Sequence, residues 1–183
     1  MSVTAGQAGP LERDRAPAIP DAERWLEECM QQYWSRVHAV LYRLLGDDGE
    51  AQDLALEAFW RLHRRGPGGA NSAGWLYRVA VNLGINALRA RQRRQQYEVI
   101  AGLQALEQTS PADPATLLEQ AEERQRVRAA LAKMKPRSAS LLALRYSGLS
   151  YAEIAAALGL AASSVGALLA RAEAEFEKRY KGE

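Results

Sequence analysis

The chain is short of the groups that most chemistry and most membrane anchoring need. It has a single cysteine, Cys29, so no internal disulfide can form; Cys29 falls on an apolar helical stripe and reads as a core residue. It has two histidines, His38 and His63, far apart, and with one cysteine they make no metal-ligand set. Neither a metal nor a cofactor is therefore expected. No apolar run approaches the ~18 residues of a membrane span. The first twenty residues carry no apolar segment of the kind that directs secretion. The expectation is a cytoplasmic protein with no membrane partner. There is no nucleophile–base pair, and Gly66-Pro67-Gly68-Gly69 lacks both the following Lys-Ser/Thr and the preceding strand of a phosphate-binding loop. Enzymatic activity is not expected. Lysine and arginine are themselves missing between Arg94 and Arg124, where Glu98, Glu107, Asp113 and Glu119 are acidic. Because charge is segregated in this way, the formal net charge of +2 says little about partners.

What is present is helical. The 183 residues suffice for one medium domain or two small ones, and 48% hydrophobic content can fill helical cores. Residues 1–20, with Pro10, Pro17 and Pro20 and no periodicity, read as a disordered tail. From 21 to 45, Leu26, Cys29, Tyr33, Val37, Val40 and Leu44 form a stripe that Gly46 can close. Asp47 with Glu50 three residues on resembles a capping box. The helix they open runs to about Arg65, with Ala51, Leu54, Ala55, Ala58, Phe59 and Leu62 inward and Asp53, Glu57, Arg61 and Arg64 outward. Residues 66–74 are a glycine-rich loop, and Asn71 or Ser72 can cap the helix after it.

That third helix, from Trp75 to Arg94, organises the chain. Leu76, Val79, Ala80, Leu83 and Ala87 make one apolar stripe. Arg78, Asn82, Asn86, Arg89 and Arg93 line another face, which holds no acid. Such a face offers charged donors for phosphates and amides for base edges. Trp75 and Tyr77 stand at its start, where aromatics can stack on an unpaired base; Trp75, next to the stripe, reads equally as a core residue. Asp53 and Glu57 likewise read either as a docking face or as a solvated one.

After a break at Ser110, Pro111 and Pro114, helices are expected from 115 to 135 and from 137 to 147. Ile154, Ala155, Leu158, Gly159, Leu160, Val165 and Leu168 then fall where a helix-turn-helix needs them. A short helix from Tyr151 to Leu158, a turn at Gly159, and a long helix capped by Ser163 or Ser164 are expected.

Together these stretches resemble the extracytoplasmic-function sigma factors of the bacterial sigma-70 family. The resemblance rests on Leu41-Tyr42 followed by Gly46-Asp47, AQDLALEAFWRL from Ala51, WLYRVAVN from Trp75 with Arg89 beyond, and LSYAEIAAALGL from Leu149. It implies an all-α protein with a polymerase-binding, −10-reading bundle at 21–97 and an acidic linker at 98–114. A −35-reading helix-turn-helix domain would follow at 115–183. The linker allows both a compact and an open form. The implied partners are core RNA polymerase, through the clamp helices of its largest subunit, and promoter DNA; the resemblance also permits an anti-sigma factor. Asp53, Glu57 and Arg61 would face polymerase. Trp75, Tyr77, Arg78, Asn82, Asn86, Arg89, Arg91 and Arg93 would engage the −10 region. Arg145, Tyr151, Ser163, Ser164, Ala167 and Arg171 would lie at the −35 region.

The sequence departs from the family pattern in three places. Ala55-Leu56 stands where Thr-Gln is common, and Asn86 where Asp is frequent. The recognition helix, where Lys and Arg usually stand, presents Ala161, Ala162, Ser163, Gly166, Ala167 and Ala170, none able to make a bidentate base contact. Gly166 costs that helix about 1 kcal/mol relative to alanine, which suggests a close approach to something. Two other readings therefore stand beside the sigma factor. One is a helix-turn-helix regulator that never joins polymerase; the other is a diverged sigma-like interaction module.

Overall fold

The computed structural model describes residues 21–67, 71–100 and 114–182, and every regular element among them is an α-helix. The expected tail at 1–20, most of the expected linker (101–113) and loop residues 68–70 lie outside the described residues.

The helices are α1 (Asp21–Leu45), α2 (Asp48–Arg65), α3 (Ser72–Ile100), α4 (Pro114–Lys133), α5 (Pro136–Tyr146), α6 (Tyr151–Leu158) and α7 (Ala162–Lys181). The α1 stripe is the expected one: Cys29, Val37, Val40 and Leu44 are buried, together with Leu41 and Leu45. Gly46 takes a positive φ of 73° and its N–H donates to the Tyr42 carbonyl at 2.7 Å, which stops α1. The Asp47 carboxylate then accepts from the Glu50 N–H at 2.8 Å and starts α2. Ala51, Ala55 and Ala58 are fully buried, so α2 packs on α1 through small side chains, with Phe59 and Leu62 filling the rest.

Helix α3 packs against α1 and α2 on one side and against α4, α5 and α6 on the other. At about 1.5 Å per residue its 29 residues span about 43 Å, long enough to serve both groups. Two-sided packing explains why its core positions exceed one stripe. Leu76 and Ala80 are buried as expected and Val79, Leu83 and Ala87 are half-buried. Tyr77, Val81, Ile85 and Leu88 are buried as well, at spacings of four, four and three. The helix also continues to Ile100, into the first residues expected to be linker.

In the second group, α5 opens with Pro136 at its first turn and buries every residue from Ala139 to Leu144. The Ser140 hydroxyl, buried among them, donates to the Pro136 carbonyl at 2.9 Å. A reciprocal capping box between Ser150 and Glu153 starts α6. Gly159 is left-handed at φ 65°, as the tight turn requires, and α6 and α7 meet at 90°. Val165, Leu169 and Ala172 lock α7 inward. The cap of α7 differs from expectation. Its N-cap is Ala161, with no side-chain hydrogen bond, and Ser163 and Ser164 lie inside the first turn because the chain enters the helix directly from the Gly159 turn.

Gly166 also differs. A methyl built there meets only the Tyr151 ring, at 3.6 Å, which is ordinary contact. No close approach within the described chain requires glycine. Gly166→Ala should therefore raise stability by about 0.5–1 kcal/mol, whereas Leu41→Ala, at a fully buried position, should lower it by about 2–5 kcal/mol. Urea unfolding measures both, and a destabilised Gly166→Ala chain would contradict this packing.

Candidate nucleic-acid interface

Asn71 and α3 set up the basic face. Asn71 adopts a positive φ of 57°, and its carboxamide oxygen accepts from the Gly74 N–H at 3.0 Å, so Asn71 rather than the loop glycines fixes where α3 begins. Trp75, one residue on, is half-buried, with the Arg65 guanidinium 5.0 Å from its ring centre. Further along, Asn82, Asn86 and Arg93 are exposed, Arg78 is largely so, and Arg89 and Arg91 are half-buried. Arg78, Asn82, Asn86, Arg89 and Arg93 share one face that is free of acid, as their spacing predicts, whereas Arg91 lies on the opposite side, beside Arg128 of α4.

Tyr77 does not belong to it. It is only 2% exposed and sits edge-on to Tyr33 with ring centres 6.4 Å apart, the Arg36 guanidinium 5.5 Å away. Its hydroxyl has no hydrogen-bond partner among the described residues, and burial raises its pKa. In this arrangement it packs α3 on α1 and offers no surface to a base. Of the two aromatics only Trp75 keeps access to solvent.

The largest addition the structure makes is the set of groups that the basic face touches. The Arg78 guanidinium donates to the Ala157 carbonyl in the last turn of α6, and the Asn71 amide donates to Ala156 beside it at 3.0 Å. Arg89 donates to Ala132 at 3.2 Å and to Met134 at 2.7 Å, both at the end of α4. On α1, Arg43 donates to the Tyr146 carbonyl that closes α5. The last carbonyls of a helix have no partner within it and carry the negative end of its dipole. Three helix ends of the second half thus each receive an arginine from the first. Arg36 and Glu153 add a side-chain pair at 3.1 Å. These pairings join residues 43 to 117 apart in sequence, so no local pattern announces them.

Two further surfaces stand apart from this one. On α2, Asp53 is exposed and Glu57 pairs with Arg61 at 2.7 Å. Leu56 and Trp60 lie on the same side, 51% and 57% exposed. Two large apolar side chains one turn apart on a helix surface suit a protein contact; the signal for them was their absence from the buried set Ala51, Ala55, Ala58, Phe59 and Leu62. At the other end, Arg145, Tyr151, Ser163, Ser164, Ala167 and Arg171 are all exposed, and Arg145 lies over the Tyr151 ring at 5.4 Å. The first turns of α7 present only small side chains beside them.

Comparison with known proteins gives this geometry a family. Residues 29–94 match the family described as Sigma-70 region 2, and residues 124–176 match that described as Sigma-70, region 4. The chain is 31% identical over 157 residues to RNA polymerase sigma factor YlaC of Bacillus subtilis (strain 168), covering 84% of this chain and 90% of that one. This chain belongs to the sigma-70 family, in its extracytoplasmic-function group. It is also 30% identical over 144 residues to the ECF RNA polymerase sigma factor SigE of Mycolicibacterium smegmatis, covering 76% of this chain and 55% of that one. Among solved structures, CnrH in complex with the cytosolic domain of CnrY aligns with a TM-score of 0.52 at 16% identity, over 87% of this chain and 90% of CnrH. That likeness bears on the fold alone. No single helix among the described residues of this sigma factor is long and apolar enough to cross a membrane.

The contact between the halves has a titratable member. The Ser150 N–H and hydroxyl, and then Arg36, hold Glu153 below the usual carboxylate range. A lowered folded value means that its stabilisation is present above the unfolded value of about 4.3 and is lost as pH falls through the folded one. Glu153→Gln does not titrate. Urea midpoints should therefore show the wild type ahead of Glu153→Gln above about pH 5, with the gap closing in acid. A gap independent of pH would contradict it.

Proposed function

We propose that this sigma factor binds core RNA polymerase, engages the −10 element with α3 and helps open the promoter strands, with no catalytic step of its own. The observation that carries this reading is the acid-free face of α3, which aligns Arg78, Asn82, Asn86, Arg89 and Arg93 behind a solvent-accessible Trp75 in a chain whose family initiates transcription; Arg91, on the other side of the helix, would act only through its charge. Extruding a base costs a few kcal/mol of unstacking. Stacking on Trp75 would recover about 1–3 kcal/mol, and the arginines would add phosphate contacts that weaken with salt.

Asp53, Glu57 and Arg61, with Leu56 and Trp60 beside them, would form the surface for the clamp helices of the largest polymerase subunit. Charged groups there would set register and on-rate, and the two apolar side chains would supply buried area. We divide the work between a unit from 21 to 97, for polymerase and the −10 element, and a unit from 115 to 183, for the −35 element. The small, uncharged first turns of α7 support −35 readout through DNA shape and thymine methyl contacts, with Arg145 and Arg171 on phosphates. An anti-sigma factor is a further proposed partner, on family grounds. The same smooth face of α7 is what favours a second reading, a sigma-like module whose last helix meets a protein.

Run-off transcription with core bacterial polymerase on a pool of random promoters decides between them. Wild type should give specific transcripts. Trp75→Ala should cut their yield about five- to hundredfold, the loss of about 1–3 kcal/mol of stacking, and Arg89→Ala should lower the salt slope of promoter binding by about one. Polymerase binding with no transcript from any template would replace this proposal with the second reading.

A further inference from the structure

We infer that the cleft between α3 and α4 is a binding site for a small phosphate-bearing anion, held by Arg128 of α4 with Arg91 of α3 beside it. The inference does not depend on the promoter role of α3. Leu88, Arg91, Gln92 and Gln95 follow one another at spacings of three, one and three, which puts them on one side of α3. That side lines the cleft together with Gln125 and Arg128 of α4. Like charges facing across a helix pair repel. Yet arginine here stands beside arginine, and among the described residues that line the cleft there is no acid.

Arg128 is the group that calls for a ligand. It is half-buried and makes no hydrogen bond or ion pair among the described residues. Its guanidinium lies against Gly46, where a side chain would collide with it. Burial first, and then Arg91 and Arg124, push its pKa down, so the field around it is positive. A part-buried cation with unused N–H donors is costly until an anion meets it. A phosphate group suits the place. It carries a charge of about −1.5 to −2 at neutral pH and accepts paired guanidinium bonds, and the amides of Gln92, Gln95 and Gln125 add donors. Size sets the rest. The cavity volume of about 130 Å³ is the liquid volume of about four waters. That is room for a phosphate group, but not for the ~300 Å³ or more that a drug-sized ligand needs. The body of a larger phosphorylated molecule would stay outside. Helices α3 and α4 pack on each other, and Arg91 lies on the side of α3 opposite Arg89 and Arg93, so a polynucleotide has no path through the cleft.

The test titrates the full chain with inorganic phosphate and with pyrophosphate at fixed ionic strength, by calorimetry and by thermal melting. Wild type should bind about one pyrophosphate per chain and melt higher in its presence. Arg128→Gln should bind it at least about tenfold more weakly, the loss of a charge-assisted bond, and without anion it should melt no lower than wild type. Gln92→Glu, which places an acid in the cleft, should abolish binding with Arg128 intact. Arg137→Gln removes an exposed arginine of α5 and changes net charge equally; it should bind as wild type does. A wild type that binds neither anion at millimolar concentration, or binding weakened as much by Arg137→Gln as by Arg128→Gln, would overturn the site. A fluorescein-labelled pool of random single-stranded DNA reads the source of the phosphate. A salt slope of DNA binding unchanged in Arg128→Gln supports a free small anion. A slope lowered by about one, with DNA displaced by pyrophosphate, would assign the cleft to a nucleic-acid backbone and overturn the small-anion proposal. None of these outcomes decides the role of the opposite face of α3, which the run-off assay reads separately.

Discussion

The structure depends on arginine donors of the N-terminal helices meeting carbonyl oxygens at the ends of C-terminal ones. Each partner solves a problem for the other. The last turns of α4, α5 and α6 leave carbonyls without intrahelical partners, and Arg89, Arg43 and Arg78 supply N–H groups to them. A guanidinium half removed from water needs oxygen acceptors, and no acid lies on its face of α3 to provide one. Apolar contact brings the halves together along α3, but these bonds determine which way the basic face points.

The length of α3 follows from the same arrangement. A helix that packs on two groups cannot be apolar on one stripe and polar elsewhere. Leu76 and Ala80 share the core with Tyr77, Val81, Ile85 and Leu88, and the remaining width is left for arginine and asparagine. The outcome is one element that shares core with α1 and α2, contacts α4, α5 and α6, and carries the surface proposed to meet promoter DNA. Arg78 and Arg89, which hold helix-end carbonyls in this structure, are also among the side chains proposed to meet promoter phosphates.

Local chemistry is legible in the residues and distant chemistry is not. The α1 stripe, the glycine stop at 46, the Asp47 cap and the Gly159 turn all follow from spacing and from the φ that only certain residues tolerate. The helix-turn-helix follows for the same reason. The misplacements share a cause. Position at the start of the basic helix groups Tyr77 with Trp75, and its burial against Tyr33 comes from α1. Residue type favours Ser163 and Ser164 as caps, yet the left-handed Gly159 delivers the chain into α7 before either. Gly166 suggests a close approach, and the nearest atom leaves room for a methyl. The partners of Arg78 and Arg89 are backbone oxygens, which every residue possesses, so nothing in the side-chain sequence could identify them. The family resemblance, in contrast, is carried by side-chain motifs and is therefore visible from the residues.

If the donor face of α3 is where this sigma factor meets promoter DNA, as we propose, the contact can be trapped. The most direct measurement is to photocross-link a non-template −10 strand carrying reactive bases to the chain assembled with core polymerase, and to map the attached peptides. Attachment is predicted within α3 between Trp75 and Arg93, with Trp75 among the labelled residues. Cross-links confined to polymerase, or to α7 with none on α3, would contradict it.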